Sequence, residues 1–278
     1  VMVWHDRHQD ESHPGYQSAR VTVRERHDDG WSERTVPDSV SEETAVALVF
    51  NGISHAVMMA TPADLADFAL GFSLTEGLIT GPEDLFAVDV DDYGETGIEL
   101  QCHIHGACMD ALKRQRRSLA GRTGCGLCGR ETLEAALPAL PVSAPVAVPE
   151  AAVVQRALTH LDQHQRLQQM TGTIHAACWC DSQGEVRMLR EDVGRHNALD
   201  KLIGALASQD VDTSDGFALV SSRGSHEMVA KAAQAHLGTL VTISGVTALA
   251  IRHAKQTGLN LIGFARRGRQ VVYAGGAP

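Results

Sequence analysis

Cys125 and Cys128 stand three residues apart in the run Gly124-Cys125-Gly126-Leu127-Cys128-Gly129. Sulfur chemistry runs through the thiolate, and nearby cations favour that anion over the thiol. Arg122 and Arg130 flank the pair, and Lys113, Arg114, Arg116 and Arg117 lie just upstream. The glycines give a permissive backbone that a large partner can approach closely. Such a loop suits a nucleophilic thiol. Two other uses fit the same residues. Cys102, His105 and Cys108 lie at ligand-like spacing and could complete a zinc site with Cys125 and Cys128. A thioredoxin-type redox pair is the third use, although here the motif does not follow a strand and open a helix. Cys102 also falls in an alternating strand pattern, which suits burial. Cys178 and Cys180 alternate on one strand and read as small core hydrophobes.

Four further clusters carry anion chemistry. Arg190-Glu191-Asp192-Val193-Gly194-Arg195-His196-Asn197 crowds polar groups around a glycine where a strand gives way to a helix. Free backbone amides and a positive helix end at such a junction suit a phosphate. Arg195 adds a planar multi-donor group, and His196 can donate or accept protons. A plain charged loop with Asn197 as helix cap is the alternative. Ser221-Ser222-Arg223-Gly224-Ser225-His226-Glu227 repeats the arrangement after the next strand. Ser225 as an N-cap explains one residue of that set and leaves Ser222, Arg223 and His226 over. A third strand end supplies Ser244, Gly245 and Thr247. Finally Phe264, Ala265, Arg266, Arg267, Gly268 and Arg269 make a basic turn between the last two strands. In an acidic chain, that turn reads as local counter-charge for a polyanion, against the plainer reading of a solvated hairpin.

These residues need elements to hold them. Residues 1–19 are polar and histidine-rich and read as a mobile tail. Over 20–110, RVTVRE, AVALVF and IELQCHI read as strands, and TPADLADFALGFSLTEGLI reads as one amphipathic helix. In that helix Thr61 is placed to cap, Pro62 to occupy the first helical position, and Leu65, Phe68, Ala69 and Phe72 to line one face. Residues 111–150 hold the basic stretch, the thiol loop and Pro138, Pro141, Pro145 and Pro149, a density that suits an extended linker. From 151 to 278 strands alternate with helices, starting with a helix over Val153 to Met170. That alternation implies an α/β domain with its sheet covered on both faces. Ligands of such sheets bind beyond the carboxyl ends of the strands, where the clusters stand.

The 278 residues carry 24 basic and 34 acidic side chains, a net charge of −10. That balance argues against a protein that coats DNA or RNA, where phosphate neutralisation dominates affinity. It leaves room for a basic pocket around one nucleotide. Neither a signal-peptide core nor a membrane-length apolar run is visible, so a soluble, cytoplasmic protein with no membrane role is expected. With six cysteines and no secretion signal, reduced, catalytic or metal-bound thiols are expected rather than a disulfide framework.

Taken in order, TPADLADFALGFSLTEGLI, GCGLCG, HAACWCD, REDVGRHNALDKLIG, SSRGSHEMVAKAA and GFARRGR resemble the FdhD family of formate dehydrogenase accessory sulfurtransferases. The resemblance runs from about Arg20 to the C-terminus, and EDVGRHNALDK is its most specific part. It implies that a cysteine desulfurase hands sulfane sulfur to Cys125, with Cys128 as partner. The sulfur then passes to the molybdenum or tungsten bis-molybdopterin guanine dinucleotide cofactor, and formate dehydrogenase becomes active. This client cofactor is bound as cargo, with no resident cofactor or metal expected. The turn Phe264 to Arg269 matches the family's cofactor-binding segment, and the strand-end residues Arg195, His196, Asn197, Ser222, Arg223 and Ser225 suit the phosphates of its guanine nucleotide. The implied fold is a cytidine deaminase-like three-layer α/β domain behind a smaller, strand-rich α+β domain, assembled as a homodimer. Deamination itself is not expected, because no His-x-Glu pairs with a Pro-Cys-x-x-Cys to hold a catalytic zinc. The sequence departs from the family pattern at Gly124, Gly224 and His226. The competing function is a non-catalytic cofactor chaperone whose Cys-x-x-Cys is structural zinc.

Overall fold

A computed structural model of the chain describes residues 14–28, 30–110, 112 and 139–275. Cys125, Cys128, Arg122, Arg130, Pro138 and the basic stretch from Lys113 to Arg117 lie outside the described residues.

The chain begins with a long hairpin, β1 (Tyr16–His27) and β2 (Gly30–Ser41), which forms a two-stranded sheet of its own. It starts at Tyr16, inside the stretch that composition assigns to a tail. Next come β3 (Thr44–Phe50), β4 (Ile53–Ala60), helix α1 (Leu65–Thr75), β5 (Leu85–Asp92) and β6 (Ile98–Ile104). The four strands pair in the order β4-β3-β6-β5. Helix α1 buries Phe68, Ala69, Leu70 and Phe72 against Val46, Leu48, Phe50, Leu100, Cys102 and Ile104 of this sheet. Alternation along β6 thus sends Cys102 inward, where burial pushes its thiol up to about 12. Cys102 is thereby packed among apolar side chains, as its place in the strand pattern suggests.

The start of α1 differs from expectation. Its N-cap is Asp64, in the left-handed region at φ 52°. Thr61 is used elsewhere, for contacts with the second half of the molecule.

That half is built on a six-stranded sheet. Its strands are β7 (His175–Asp181), β8 (Val186–Asp192), β9 (Gly216–Val220), β10 (Thr239–Thr242), β11 (Asn260–Arg266) and β12 (Arg269–Ala274), in the order β12-β11-β10-β9-β7-β8. Strands β9, β10 and β11 run parallel, while antiparallel partners close both edges. Helix α2 (Ala151–His164) covers one face, where Val154, Ala157, Leu158 and Leu161 meet Cys178, Cys180, Leu219 and Val241. Helices α4 (Arg195–Ser208), α5 (His226–Gln234) and α6 (Ala248–Thr257) cover the other, with Leu199, Leu202, Met228, Val229, Ala250 and Ala254 packed on Trp179, Val220 and Leu240. The result is a three-layer α/β architecture. The helix expected over Val153 to Met170 breaks at Gln165, and a short α3 (Arg166–Thr171) follows. Glu191 explains the break, because its carboxylate accepts from Leu167 N and Gln168 N at 2.9 and 3.0 Å and so caps α3.

The two halves meet along α1 and α4, which touch backbone to backbone. A Cβ at Gly71 would lie 1.7 Å from Asp200 O, and one at Gly204 would lie 1.9 Å from Asp67 O. Only glycine permits that approach.

Candidate functional site at the strand ends

The parallel strands β9, β10 and β11 end on one rim of the sheet. The antiparallel register brings the first residue of β7, His175, opposite the last of β8, Asp192, so the same rim collects both. The turn after β11 and the loops after β8, β9 and β10 therefore line up along one edge, where a ligand of this fold class binds.

The loops are zipped together. Ser244 N donates to Ser222 O, Gly224 N to Gly245 O, Thr247 N to Gly224 O and Phe264 N to Ser244 O. Phe264 closes this lattice from a left-handed conformation at φ 48°, rare for an aromatic residue. Its ring covers Gly245, where an added Cβ would come within 2.8 Å of the ring tip. The Arg266 and Arg269 guanidinium carbons lie 5.8 and 5.5 Å from the ring centroid. Arg266 Nε donates to Ile243 O at 3.4 Å. The side chains of Arg266, Arg267 and Arg269 face solvent, while Ala265 is buried below them.

The turn is also held from outside. From α2, the Gln155 carboxamide donates to Arg266 O at 3.0 Å and to Arg269 O at 3.4 Å, and accepts from Gly268 N at 2.7 Å. Nothing in the sequence points to this residue, since its partners are main-chain atoms more than a hundred positions away.

At the other end of the rim, His175 Nδ1 lies 3.3 Å from Ser221 Oγ, which also accepts from Ala176 N. Burial and the Arg195 charge push His175 below the ordinary imidazole value, with His196 adding to the effect and Asp192 opposing it. His196 Nε2 meets Glu227 Oε2 at 3.1 Å. Burial raises the Glu227 carboxyl, but the His196 bond and the charges of His196, His226 and Arg195 outweigh it and hold Glu227 below its usual range. His175, Ser221 and Glu227 were not singled out as ligand groups by sequence. His175 opens an antiparallel strand, and the strand-end logic looks only at carboxyl ends.

Several expected ligand groups are used within the fold instead. Asn197 is buried, and its amide donates to Met59 O at 2.8 Å and Asp192 Oδ1 at 3.0 Å. It is neither a pocket residue nor the helix cap, because Gly194 occupies the cap position of α4. Ser225 caps α5 by accepting from Met228 N, and Thr247 caps α6 in the same way. The Ser222 hydroxyl is buried and donates to Arg223 O at 3.1 Å. Arg223 is exposed, so of that loop it alone among the expected residues presents a free-standing charge to solvent. The remainder of the Glu191 to Lys201 run joins the two halves of the molecule. Asp192 accepts from Thr61 N, Gly194 N and Asn197, and pairs with Lys201 at 2.6 Å, both side chains fully buried. Lys201 also donates to Thr61 O at 2.8 Å. Asp200 pairs with Lys231 at 2.9 Å and accepts from Thr75 at 2.7 Å.

The FdhD/NarQ family model matches residues 41–277. A sulfur carrier protein FdhD from Cupriavidus necator is 55% identical over 240 residues, covering 86% of this chain and 82% of its own. One from Xanthomonas campestris is 53% identical over 253 residues, covering 91% and 89%. One from Bordetella petrii is 50% identical over 240 residues, covering 86% of each. Among solved structures, a protein described as a formate dehydrogenase accessory protein from Desulfotalea psychrophila superposes with TM-score 0.71 at 19% identity, covering 94% of this chain and 97% of the other. That likeness shows the shared mixed α/β fold.

Proposed function

The chain belongs to the FdhD/NarQ family, and from that premise we propose that it carries sulfur for the maturation of a formate dehydrogenase. The observation that carries this reading is its identity of 50–55% to proteins named as sulfur carriers, over most of both chains. Cys125 takes the sulfur. Its thiolate attacks the terminal sulfur of a persulfide on a cysteine desulfurase, the donor S–S bond breaks, and the donor leaves as a thiolate. Cys125 then holds the sulfur as a persulfide, whose anion the arginines and lysine on either side of the loop stabilise. Cys128 releases it. Attack of its thiolate on Cys125 Sγ expels sulfide and leaves a Cys125–Cys128 disulfide, which a dithiol reductant reopens.

The acceptor is the molybdenum or tungsten bis-molybdopterin guanine dinucleotide cofactor, as substrate. The strand-end rim supports this part of the reading, because it gathers Arg195, Arg223, Arg266, Arg267 and Arg269 along the edge where nucleotides bind in this class of sheet. In an otherwise acidic protein, these arginines are the local counter-charge for the cofactor's phosphates. The zinc-chaperone reading is the weaker one, because Cys102, one of its candidate ligands, is packed among apolar side chains in the core of the first sheet. By the family resemblance, the working unit is a homodimer in the cytoplasm. Among the described residues no helix is long and apolar enough to cross a membrane.

Intact mass spectrometry after incubation with a cysteine desulfurase and cysteine tests the carrier role. The expected result is a reductant-labile gain of one sulfur, absent in Cys125→Ala, with the fold retained by circular dichroism. A Cys125→Ala protein that still gains labile sulfur overturns it. So does a wild-type protein that gains none and holds stoichiometric zinc.

A further inference from the structure

Four loops line the strand-end rim, and three of them are held from within their own half of the molecule. The loops after β9 and β10 and the turn after β11 are tied to one another by main-chain bonds, and Gln155 of α2 holds the turn from outside. The loop from Asp192 to Gly194, which leads from β8 into α4, takes no part in that lattice among the described residues. Helix α4 also starts without a side-chain cap, since Gly194 stands at its N-cap.

What holds this fourth loop comes from the other half, at the junction of β4 and α1. Val193 N donates to Thr61 Oγ1 at 3.1 Å, Thr61 N donates to the Asp192 carboxylate at 3.0 Å, and Lys201 Nζ donates to Thr61 O at 2.8 Å. Thr61 is fully buried, and all three of its polar groups are engaged by the entrance to α4. Two residues earlier, Met59 O accepts from Asn197 in the first turn of α4 at 2.8 Å. Within the loop, Asp192 Oδ1 accepts from Gly194 N at 2.7 Å, so the carboxylate that braces the loop is itself fixed by Thr61 and Lys201. Arg195 and His196 follow directly and stay partly open to solvent. The direction in which they leave the main chain is set by where this loop is held.

We infer that Thr61 is a positioning residue for the rim: from the other half of the molecule it fixes the loop that aims Arg195 and His196. The inference rests on the reading of the rim as the cofactor's nucleotide-binding edge, and it adds that the edge is complete only where the two halves are joined. Position 61 needs a hydroxyl, because Val193 N must find an acceptor there. Without one, a main-chain donor is left unpaired beside the core, and a loosened loop has to be ordered again when a ligand binds. A second threonine supplies a matched control. Thr75, at the far end of α1, donates to Asp200 at 2.7 Å and accepts from Lys231 at 3.0 Å. These are the sixth residues of α4 and α5, roughly 7–8 Å along each helix from its first. Thr75 joins the halves as Thr61 does, but its bonds go to no rim loop.

The test is calorimetric titration of the full chain with guanosine diphosphate, for wild type, Thr61→Val, Thr61→Ser and Thr75→Val, at a temperature where circular dichroism shows each folded. Thr61→Val should weaken binding by about 3- to 10-fold. Thr61→Ser restores the acceptor and should bind like wild type, and so should Thr75→Val. Wild-type affinity in Thr61→Val overturns the inference, because the loop then keeps its shape unaided. Equal losses in Thr61→Val and Thr75→Val also overturn it, because the loss then follows stability alone, and so does a Thr61→Ser protein as weak as Thr61→Val. A wild-type protein that does not bind guanosine diphosphate removes the nucleotide-edge reading, and this inference with it. If Thr61→Val does not fold, amide hydrogen exchange of the wild type decides the point. Guanosine diphosphate should slow exchange at Thr61 and Val193, whose amides donate across the joint; unchanged exchange at both overturns the inference.

Discussion

The entrance to α4 and the turn between β11 and β12 both bring arginine to one rim of the sheet, yet they use their polar groups in opposite ways. From Asp192 to Lys201, the carboxylates, amide and ammonium point inward and satisfy one another between the two halves of the molecule. Only Arg195 and His196 keep a partial opening to the rim. In the turn, the main chain is fixed by Gln155, and the guanidiniums of Arg266, Arg267 and Arg269 are left facing solvent. A dense run of charge is therefore no sign of a ligand site by itself. What separates the two is whether the charges find partners inside the fold.

The largest expected effect breaks that contrast from the buried side. Lys201→Met leaves Asp192 as a buried carboxylate without its cation. Removing one member of a buried pair costs about 3–5 kcal/mol, read as a fall in the urea midpoint at constant slope. Arg267→Ala, on the exposed turn, should stay within about 0.5 kcal/mol of wild type. Equal losses at both positions, or a stable Lys201→Met protein, would mean that the joint between the halves contributes nothing. The double change Asp192→Asn with Lys201→Met should recover part of the loss, because it removes the stranded charge.

The same contrast explains how much was visible in the sequence. Local period and strand-end chemistry mark the helices starting at Ser225 and Thr247, the six strands of the second half, β1, β3 and β6 of the first, and the basic turn, because each depends on residues within a few positions, whereas β2, β4 and β5 carry no such mark. Thr61 looks like a cap in the sequence and is not one, for the opposite reason. Its hydroxyl accepts from Val193 N and its carbonyl from Lys201, partners more than 130 positions away. Asn197 follows the same rule, since its amide meets Met59 O in the other half. Gly71 and Gly204 look like ordinary helix glycines, yet together they set the distance between the halves. His175 and Gln155 act on the rim across the chain, and no nearby pattern marks them. The thiol loop is the reverse case: its chemistry is plain from spacing, and its residues lie outside those described.

A smaller effect sharpens the exposed side of the comparison. Among the described residues, the three side-chain hydrogen bonds of Gln155 all go to the main chain of the turn. Gln155→Ala frees that backbone without altering a charge. Each such bond has a net worth of about 0.5–1.5 kcal/mol, and ordering a loose turn on binding draws on the same range. Guanosine diphosphate affinity should therefore fall by roughly 3- to 10-fold, with the urea midpoint nearly unchanged. Gln155→Glu keeps the acceptor for Gly268 N but sets a carboxylate against two carbonyls, and it should weaken binding at least as much. Affinity unaffected by either change would show that the turn holds its shape unaided.

The smallest effect concerns the one carboxylate that joins α5 to the partly open first turn of α4. Glu227 is half-buried, and its bond to His196 holds its folded value below the ordinary value of 4.5. A depressed carboxyl adds stability above its unfolded value. Below about 4.5 the unfolded chain binds the proton first, so that stability is lost as the pH falls through the folded value. Glu227→Gln removes the contribution at every pH, so its stability should drop less steeply than wild type as the pH falls below about 4.5. Asp84 and Asp181 are also depressed, and buried Asp200 is raised. These act equally in both proteins, so the difference between the two curves isolates Glu227 together with its contact to His196. Parallel curves would mean that the His196–Glu227 contact is no more than a surface pairing. The first turn of α4 would then stay in place through the buried groups alone, and the two regions of the rim would differ even more sharply than the geometry suggests.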